Sequence, residues 1–217
     1  MGEGERGRSR HHPLPHSPPL PLLCLKLPTD LSISIHPTAL VATDKIGDGT
    51  RIWAFCNVLA GATIGRDCNI CDRCFVENDV VIGDRVTVKC GVSLYDGLAI
   101  EDDVFVGPDV SFSNDSRPRS RVRPSSQPRT RLRQGASLGA ASVILPGLTV
   151  GRWAMVGAAS LVTRDVPDHA LVYGSPARLQ GYLCRCGQSI AFAQSRSVCV
   201  CGRRYTLDKD DCVREEP

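Results

Sequence analysis

Four cysteines near the C-terminus are spaced for a metal. Cys184-Arg185-Cys186-Gly187 and Cys199-Val200-Cys201-Gly202 form two short knuckles, twelve residues apart. Four thiolates set tetrahedrally around zinc leave no open position for water, so such a site holds structure rather than performing catalysis. Residues 183–213 are too few to fold on an apolar core, and a metal would supply the missing stability. Ligand pairs of this kind usually read C-x-x-C, and C-x-C is tighter. A metal-free, disordered tail therefore stands as the alternative, and Cys212 is a spare thiol in either case. A second run, Cys68-x-x-Cys71-x-x-Cys74, invites a cluster or zinc reading. Its registration favours core packing, because Cys68 and Cys74 occupy the same small position in two consecutive six-residue units. Seven arginines crowd residues 113–134, namely Arg117, Arg119, Arg121, Arg123, Arg129, Arg131 and Arg133. Guanidinium forks suit phosphate and carboxylate, and a solvated loop is the plainer account of most of them.

The totals bound what else is possible. Hydrophobic residues make up 42% and aromatics 5%, so the core is aliphatic. A net charge of +3 is too small to imply nucleic-acid binding. No apolar run has the length of a membrane span. Residues 1–33 are rich in proline, arginine and histidine. Their apolar stretch is broken by Pro21 and Lys26, unlike a signal peptide. His11, His12 and His16 suit a metal, but a disordered extension is expected there. Reduced thiols and a cytoplasmic location follow as expectations.

The elements that position these residues come from a period of six. Leu40, Ile46, Ile52, Val58, Ile64, Ile70, Val76, Ile82, Val88, Leu94, Ile100, Val106 and Phe112 are thirteen apolar residues in one frame. Chance would give such a run roughly once in ten thousand sequences of this composition. The frame breaks at a loop and resumes at Leu138, Ile144, Val150, Val156 and Val162. Glycine often follows the apolar residue, as at Gly47, Gly65, Gly83, Gly107, Gly139, Gly151 and Gly157, where it is expected to permit a tight corner. Four residues after the apolar one comes a small or β-branched residue such as Thr50, Cys56, Ala62, Cys68 or Val80. Neither a 3.6-residue helix nor a two-residue strand gives this pattern, whereas a hexapeptide β-helix does.

These hexads resemble the left-handed β-helix acyltransferases. The resemblance implies three hexads per coil, six coils from eighteen hexads, and a homotrimer with sites between neighbouring prisms. It sharpens at Ile35-His36-Pro37-Thr38-Ala39, Val92-Ser93-Leu94-Tyr95-Asp96, Pro118-Arg119-Ser120 and Gly174-Ser175-Pro176-Ala177-Arg178. Over 35–182 the chain is similar to the N-acetyltransferases that modify the 3-amino group of a UDP-linked 2-acetamido-3-amino-glucuronate in polysaccharide biosynthesis. The organisation expected is an all-β chain: an extension (1–33), a left-handed parallel β-helix domain (34–182) with an extruded loop (113–134), and a Cys-rich tail (183–217) similar to zinc-ribbon or rubredoxin-like extensions.

The implied reaction is acyl transfer from acetyl-CoA to an amine. Residues 40–166 contain no histidine, and His36 and His169 flank them. A hydroxyl near pKa 15 needs about 11 kcal/mol of deprotonation at neutrality, whereas an amine near pKa 8 needs only about 1. Direct attack by the neutral amine, with positioning carrying most of the catalysis, therefore suits coils that lack a base. The implied acceptor site comprises Glu77, Lys89, Tyr95, Asp96, Asn114 and Arg119. The implied coenzyme A site comprises Gly139, Gly157, Ala158, Arg164, Gly174, Pro176, Ala177 and Arg178, with the arginines on phosphates. The chain departs from the family where an Asn pair is replaced by Cys90-Gly91. Cys90 is then either an acylated nucleophile or a passive replacement. A trimeric β-helix scaffold or sugar-binding module that has lost its chemistry is the competing function.

Overall fold

The computed structural model describes residues 32–122, 128–208 and 212–216. The expected extension lies almost wholly outside the described residues, as does Arg123. The rest is a left-handed parallel β-helix with three flat faces, followed by a small antiparallel tail.

Each hexad is half strand and half corner. Val86 and Val88 point inward and are fully buried, while Thr87 between them faces outward. This is the two-residue alternation of a strand, confined to three residues. The next three residues turn the chain onto the adjacent face. Parallel pairing repeats at eighteen residues: Ile52 lies against Ile70, Ile70 against Val88, and Leu138 against Val156. The core is one continuous aliphatic column. Each fully buried valine, leucine or isoleucine contributes about 1.5–3 kcal/mol relative to exposure. Cys68 and Cys74 belong to this column, and their thiols donate to the carbonyls of Gly83 (3.0 Å) and Lys89 (3.2 Å).

Four sequence expectations need correction. The second face has seven strands, so the prism has seven turns and not six. Hexads carrying Ile35, Leu132 and Val166 supply the additional turn, since these residues align with Ile52, Ile100 and Val150. The loop ends at 129 rather than 134, because Thr130–Leu132 is already a third-face strand. Leu40 is not in the inward frame. It is 70% exposed, whereas Val41 pairs with Val58, and a five-residue step leads to Ile46. Among the described residues no coil lies beneath the first one to enforce register. Finally, glycines such as Gly47 and Gly107 do not have positive φ. A Cβ on them would lie 2.6 Å from the Arg66 nitrogen and 2.7 Å from the Leu138 oxygen, so close stacking of coils selects glycine. Left-handed backbone falls two residues later, at positions such as Phe55, Arg73, Gly91 and Asp109.

Carboxylates tie the corners together. Asp84 Oδ1 accepts from the Arg66 N–H (2.8 Å), and Asp102 Oδ1 from the Asp84 N–H (2.9 Å). These satisfy corner amides that no strand partner reaches.

At the C-terminal end, Ala170–Gly174 is the last strand of the first face, and Ala177–Leu183 returns antiparallel along it. Strands Arg196–Val198, Arg204–Leu207 and Val213–Glu215 form the tail sheet. Its small core is Cys184, Ile190, Cys199, Tyr205 and Val213.

Candidate functional site

Three groups of side chains gather on this scaffold. The first lies on the second face. Gly91, Ser93, Tyr95, Asp109, Ser111 and Phe112 line a hollow of about 200 Å³. Gly91 has φ 77°, and a Cβ there would press on the Asp109 carboxylate. Asp109 therefore occupies the space that a side chain at Gly91 would need. Neighbouring Cys90 is half-buried, with Sγ 3.8 Å from Asp72 Oδ2. Tyr95 packs edge-on against Phe75, ring centroids 6.2 Å apart.

The expected acceptor residues divide between the two edges of this face. Lys89, Cys90 and Gly91 follow the first-face strand Thr87–Val88, while Glu77, Tyr95, Asp96 and Asn114 follow second-face strands. Glu77 and Asp96 also serve as corner ties. Glu77 Oε2 accepts from the Asp96 N–H (2.7 Å), and Asp96 Oδ1 from the Asp79 N–H (2.6 Å). Arg119 is exposed and donates from Nη1 to the Pro118 carbonyl (2.9 Å), within its own loop. Of the seven loop arginines, Arg131 and Arg133 belong to the prism. Arg131 faces outward on a strand, and Arg133 pairs with Asp168 at 3.3 Å.

The second group is a hollow of about 390 Å³ at the C-terminal end, lined by Val162, Thr163, Arg164, Asp165, Ala177 and Arg178 among others. The structure brings Arg164, Ala177 and Arg178 together there. Arg164 and Arg178 are exposed, and Arg178 donates to the Ala177 carbonyl (2.9 Å). Gly139, Gly157 and Ala158 lie instead on the edge between first and second faces. A Cβ on Gly157 would meet Tyr173 Cβ at 2.7 Å. Gly174 and Pro176 form the turn between the last strand and its return.

The third group is the cysteine cluster. The sulfurs of Cys184, Cys186, Cys199 and Cys201 all lie within 4.8 Å of one another. Cys184 and Cys201 are 3.4 Å apart, and Cys186 and Cys199 are 3.5 Å apart. A tetrahedron with metal–sulfur bonds of about 2.3 Å has edges of about 3.8 Å, so the donor set fits zinc. Both C-x-C knuckles fold alike. The Gly187 N–H bonds to the Cys184 carbonyl and the Gly202 N–H to the Cys199 carbonyl, each at 2.8 Å. These glycines have φ 85° and 88°, the left-handed turn that lets C-x-C converge. The backbone N–H and guanidinium of Arg203 push the Cys201 thiol down to about 6. Cys212 lies outside the cluster.

Sequence reasoning missed Asp109, Ser111 and Phe112. The eighteen-residue coil repeat places Asp109 above Gly91, and that arithmetic is the signal that was available. Nothing in the spacing pointed to Tyr205, whose hydroxyl donates to Cys184 Sγ at 3.1 Å.

Stacked hexad coils with a surface hollow and a basic C-terminal end define a class, the hexapeptide-repeat transferases. Residues 45–78 match the family described as bacterial transferase hexapeptide (six repeats). The dTDP-3-amino-3,6-dideoxy-alpha-D-galactopyranose 3-N-acetyltransferase of Aneurinibacillus thermoaerophilus is 57% identical over 171 residues, covering 79% of this chain and 89% of that protein. The bifunctional protein GlmU of Alkalilimnicola ehrlichii is 30% identical over 167 residues, 67% of this chain but only 33% of its own length. A Vibrio cholerae hexapeptide-repeat-containing acetyltransferase, solved with acetyl coenzyme A, aligns at 28% identity and TM-score 0.49, covering 57% of this chain and 72% of that one. The chain belongs to the hexapeptide-repeat acyltransferases.

Proposed function

We propose that the protein transfers an acetyl group from acetyl-CoA to the amino group of a nucleotide-linked amino sugar. The observation that carries this is the 57% identity, over 89% of its length, to an acetyltransferase whose name specifies the 3-amino group of a dTDP-linked 3-amino-3,6-dideoxyhexose. The glucuronate acceptor implied by the sequence motifs shares that 3-amino group and differs in its nucleotide, in an acetamido group at C2, and at C6, where a carboxylate replaces a methyl. The second-face hollow favours the methyl sugar, because Arg119 is turned to its own loop and Tyr95, Val110 and Phe112 border the space.

The amine attacks the thioester directly. Neither flanking histidine adjoins the hollow: His36 is exposed with Nδ1 on Thr38 Oγ1 (2.9 Å), and His169 is buried against the Leu183 carbonyl. The chain's task is then to hold two substrates in line, with Tyr95 and Asp109 at the acceptor. Arg164 and Arg178 bind coenzyme A phosphates in the C-terminal hollow, a reading supported by both lining it with exposed side chains. Acetyl-CoA and the nucleotide sugar are the partners in this reading.

A homotrimer as the working unit and a cytoplasmic location belong to the same proposal, the trimer following the resemblance of the hexads to the left-handed β-helix acyltransferases. No helix among the described residues is long and apolar enough to cross a membrane. One structural zinc sits on the four tail cysteines and supplies cross-linking of the two knuckles.

Thiol release from acetyl-CoA, measured against a panel of nucleotide amino sugars, tests the reading. Release is expected with the dTDP-linked 3-amino-3,6-dideoxyhexose. Tight sugar binding with no thiol release from any member would instead favour the silent scaffold.

A further inference from the structure

The tail is joined to the prism through a defined chain of contacts. Leu183, the last residue of the return strand, is followed directly by Cys184. The Leu183 N–H bonds to the His169 carbonyl (2.7 Å), and His169 Nδ1 bonds to the Leu183 carbonyl (2.9 Å). His169 is thus held by two hydrogen bonds to Leu183. Its buried ring packs edge-on against Tyr205, centroids 5.1 Å apart. Tyr205 is fully buried, and its hydroxyl donates to Cys184 Sγ (3.1 Å) while accepting from the Arg185 N–H (3.3 Å). A second strap runs beside it. The Arg185 guanidinium stacks 4.4 Å over Trp153, whose ring covers Gly135 so closely that a Cβ there has no room.

The same return strand roofs the C-terminal hollow with its other end, through Ala177, Arg178 and Leu179. Toward that end its pairing is irregular. Ala170 faces Tyr182 and Leu171 faces Gly181, but the register shifts before Val172 meets Leu179. A strand with a shifted register and a mostly exposed outer surface depends on its anchors.

We propose that the four-cysteine cluster is a clasp: metal binding there, relayed through Tyr205 and His169, holds the return strand onto the last coil and so fixes the roof of the C-terminal hollow. Tyr205 and His169 are positioning residues in this scheme and touch no substrate. The bound metal gathers four sulfurs into one unit and orders Cys184, which ends the roof strand. Without it the tail keeps Ile190, Tyr205 and Val213 as buried residues other than the ligands, with Tyr182, Phe192 and Leu207 packed against them, a small core for so short a segment. The consequence for coenzyme A rests on the proposed role of Arg164 and Arg178.

The test is hydrogen exchange on the full-length protein, purified under reducing conditions with zinc, before and after chelation and after zinc is restored. Metal content is measured in each sample. Amides of Arg178–Leu183 should exchange at least about tenfold faster without metal and recover with zinc, while those of Ile82–Ile100 stay unchanged. Tyr205→Phe keeps the ring stack and removes the hydroxyl–sulfur bond. It should retain zinc and show a smaller, severalfold acceleration in the same segment. Unchanged exchange in metal-free protein overturns the clasp, as does protein that takes up no zinc. Tyr205→Phe that holds zinc and exchanges like wild type overturns the relay. Coenzyme A affinity, measured calorimetrically on the same samples, separates the two claims. Faster exchange with weaker coenzyme A binding supports both, whereas faster exchange with unchanged affinity keeps the clasp and removes the hollow as the coenzyme A site.

Discussion

Arg178→Ala isolates the proposed coenzyme A contact. Its guanidinium is exposed, it spends one N–H on the adjacent Ala177 carbonyl, and it lines the hollow beside Arg164. Removal therefore leaves no buried partner stranded, and stability should change by less than about 0.5 kcal/mol. A charge-assisted hydrogen bond to phosphate is worth about 1.5–3 kcal/mol, and exposure to solvent reduces this to roughly 1–1.5. At tenfold per 1.4 kcal/mol, KM for acetyl-CoA should rise about five- to tenfold. The contact is the same in ground and transition states, so kcat should hold nearly constant. Arg164→Ala should act alike. The double variant should lose less than the product of the two, because both forks address one phosphate region and their effects couple. Steady-state kinetics with acetyl-CoA varied at saturating acceptor provides the assay, with thermal unfolding as the fold control. A KM within twofold of wild type in folded Arg178→Ala would refute the assignment.

Cys90→Ala should keep kcat within a few-fold, since Sγ faces the Asp72 carboxylate and the amine needs no covalent relay; a loss of more than a hundredfold, or a trapped acyl-thioester in wild type, would restore the nucleophile. Leu138→Ala removes a fully buried side chain from the central column and should cost about 3 kcal/mol by denaturant unfolding, against less than 1 for the exposed Leu40→Ala. Burial holds His169 below its ordinary range, against the opposing pull of the Leu183 carbonyl, Asp168 and Glu215, with Arg185 reinforcing the shift. The unfolded chain then binds the proton first, so stability should fall as pH drops through the unfolded-state histidine range near about 6.5. His169→Gln should flatten that dependence; an unaltered slope would mean that His169 is not its source.

The repeat and its inward residues were legible because a β-helix reads its sequence locally. Each hexad makes its own strand and corner, and its neighbour in space is about eighteen residues away in the chain except across the extruded loop, where Ile100 meets Leu132. Inward Val58, Val76 and Leu94 and buried Cys68 and Cys74 followed from period alone. The two knuckles were legible for the same reason, since each pair of ligands sits within one turn. The first coil slipped, with Leu40 outside and Val41 inside, because an end coil has a partner on one side only and its spacing tolerates a five-residue step. Glycine at Gly47 was correctly singled out, but the backbone of the coil above it, not its own φ, selects it. Tertiary structure alone decided the rest. Arg133 turns to Asp168, and Tyr205 reaches both His169 and Cys184. Those contacts join segments with no shared period, and their distances are set by how coils stack and where the tail lands, which no spacing in the chain encodes.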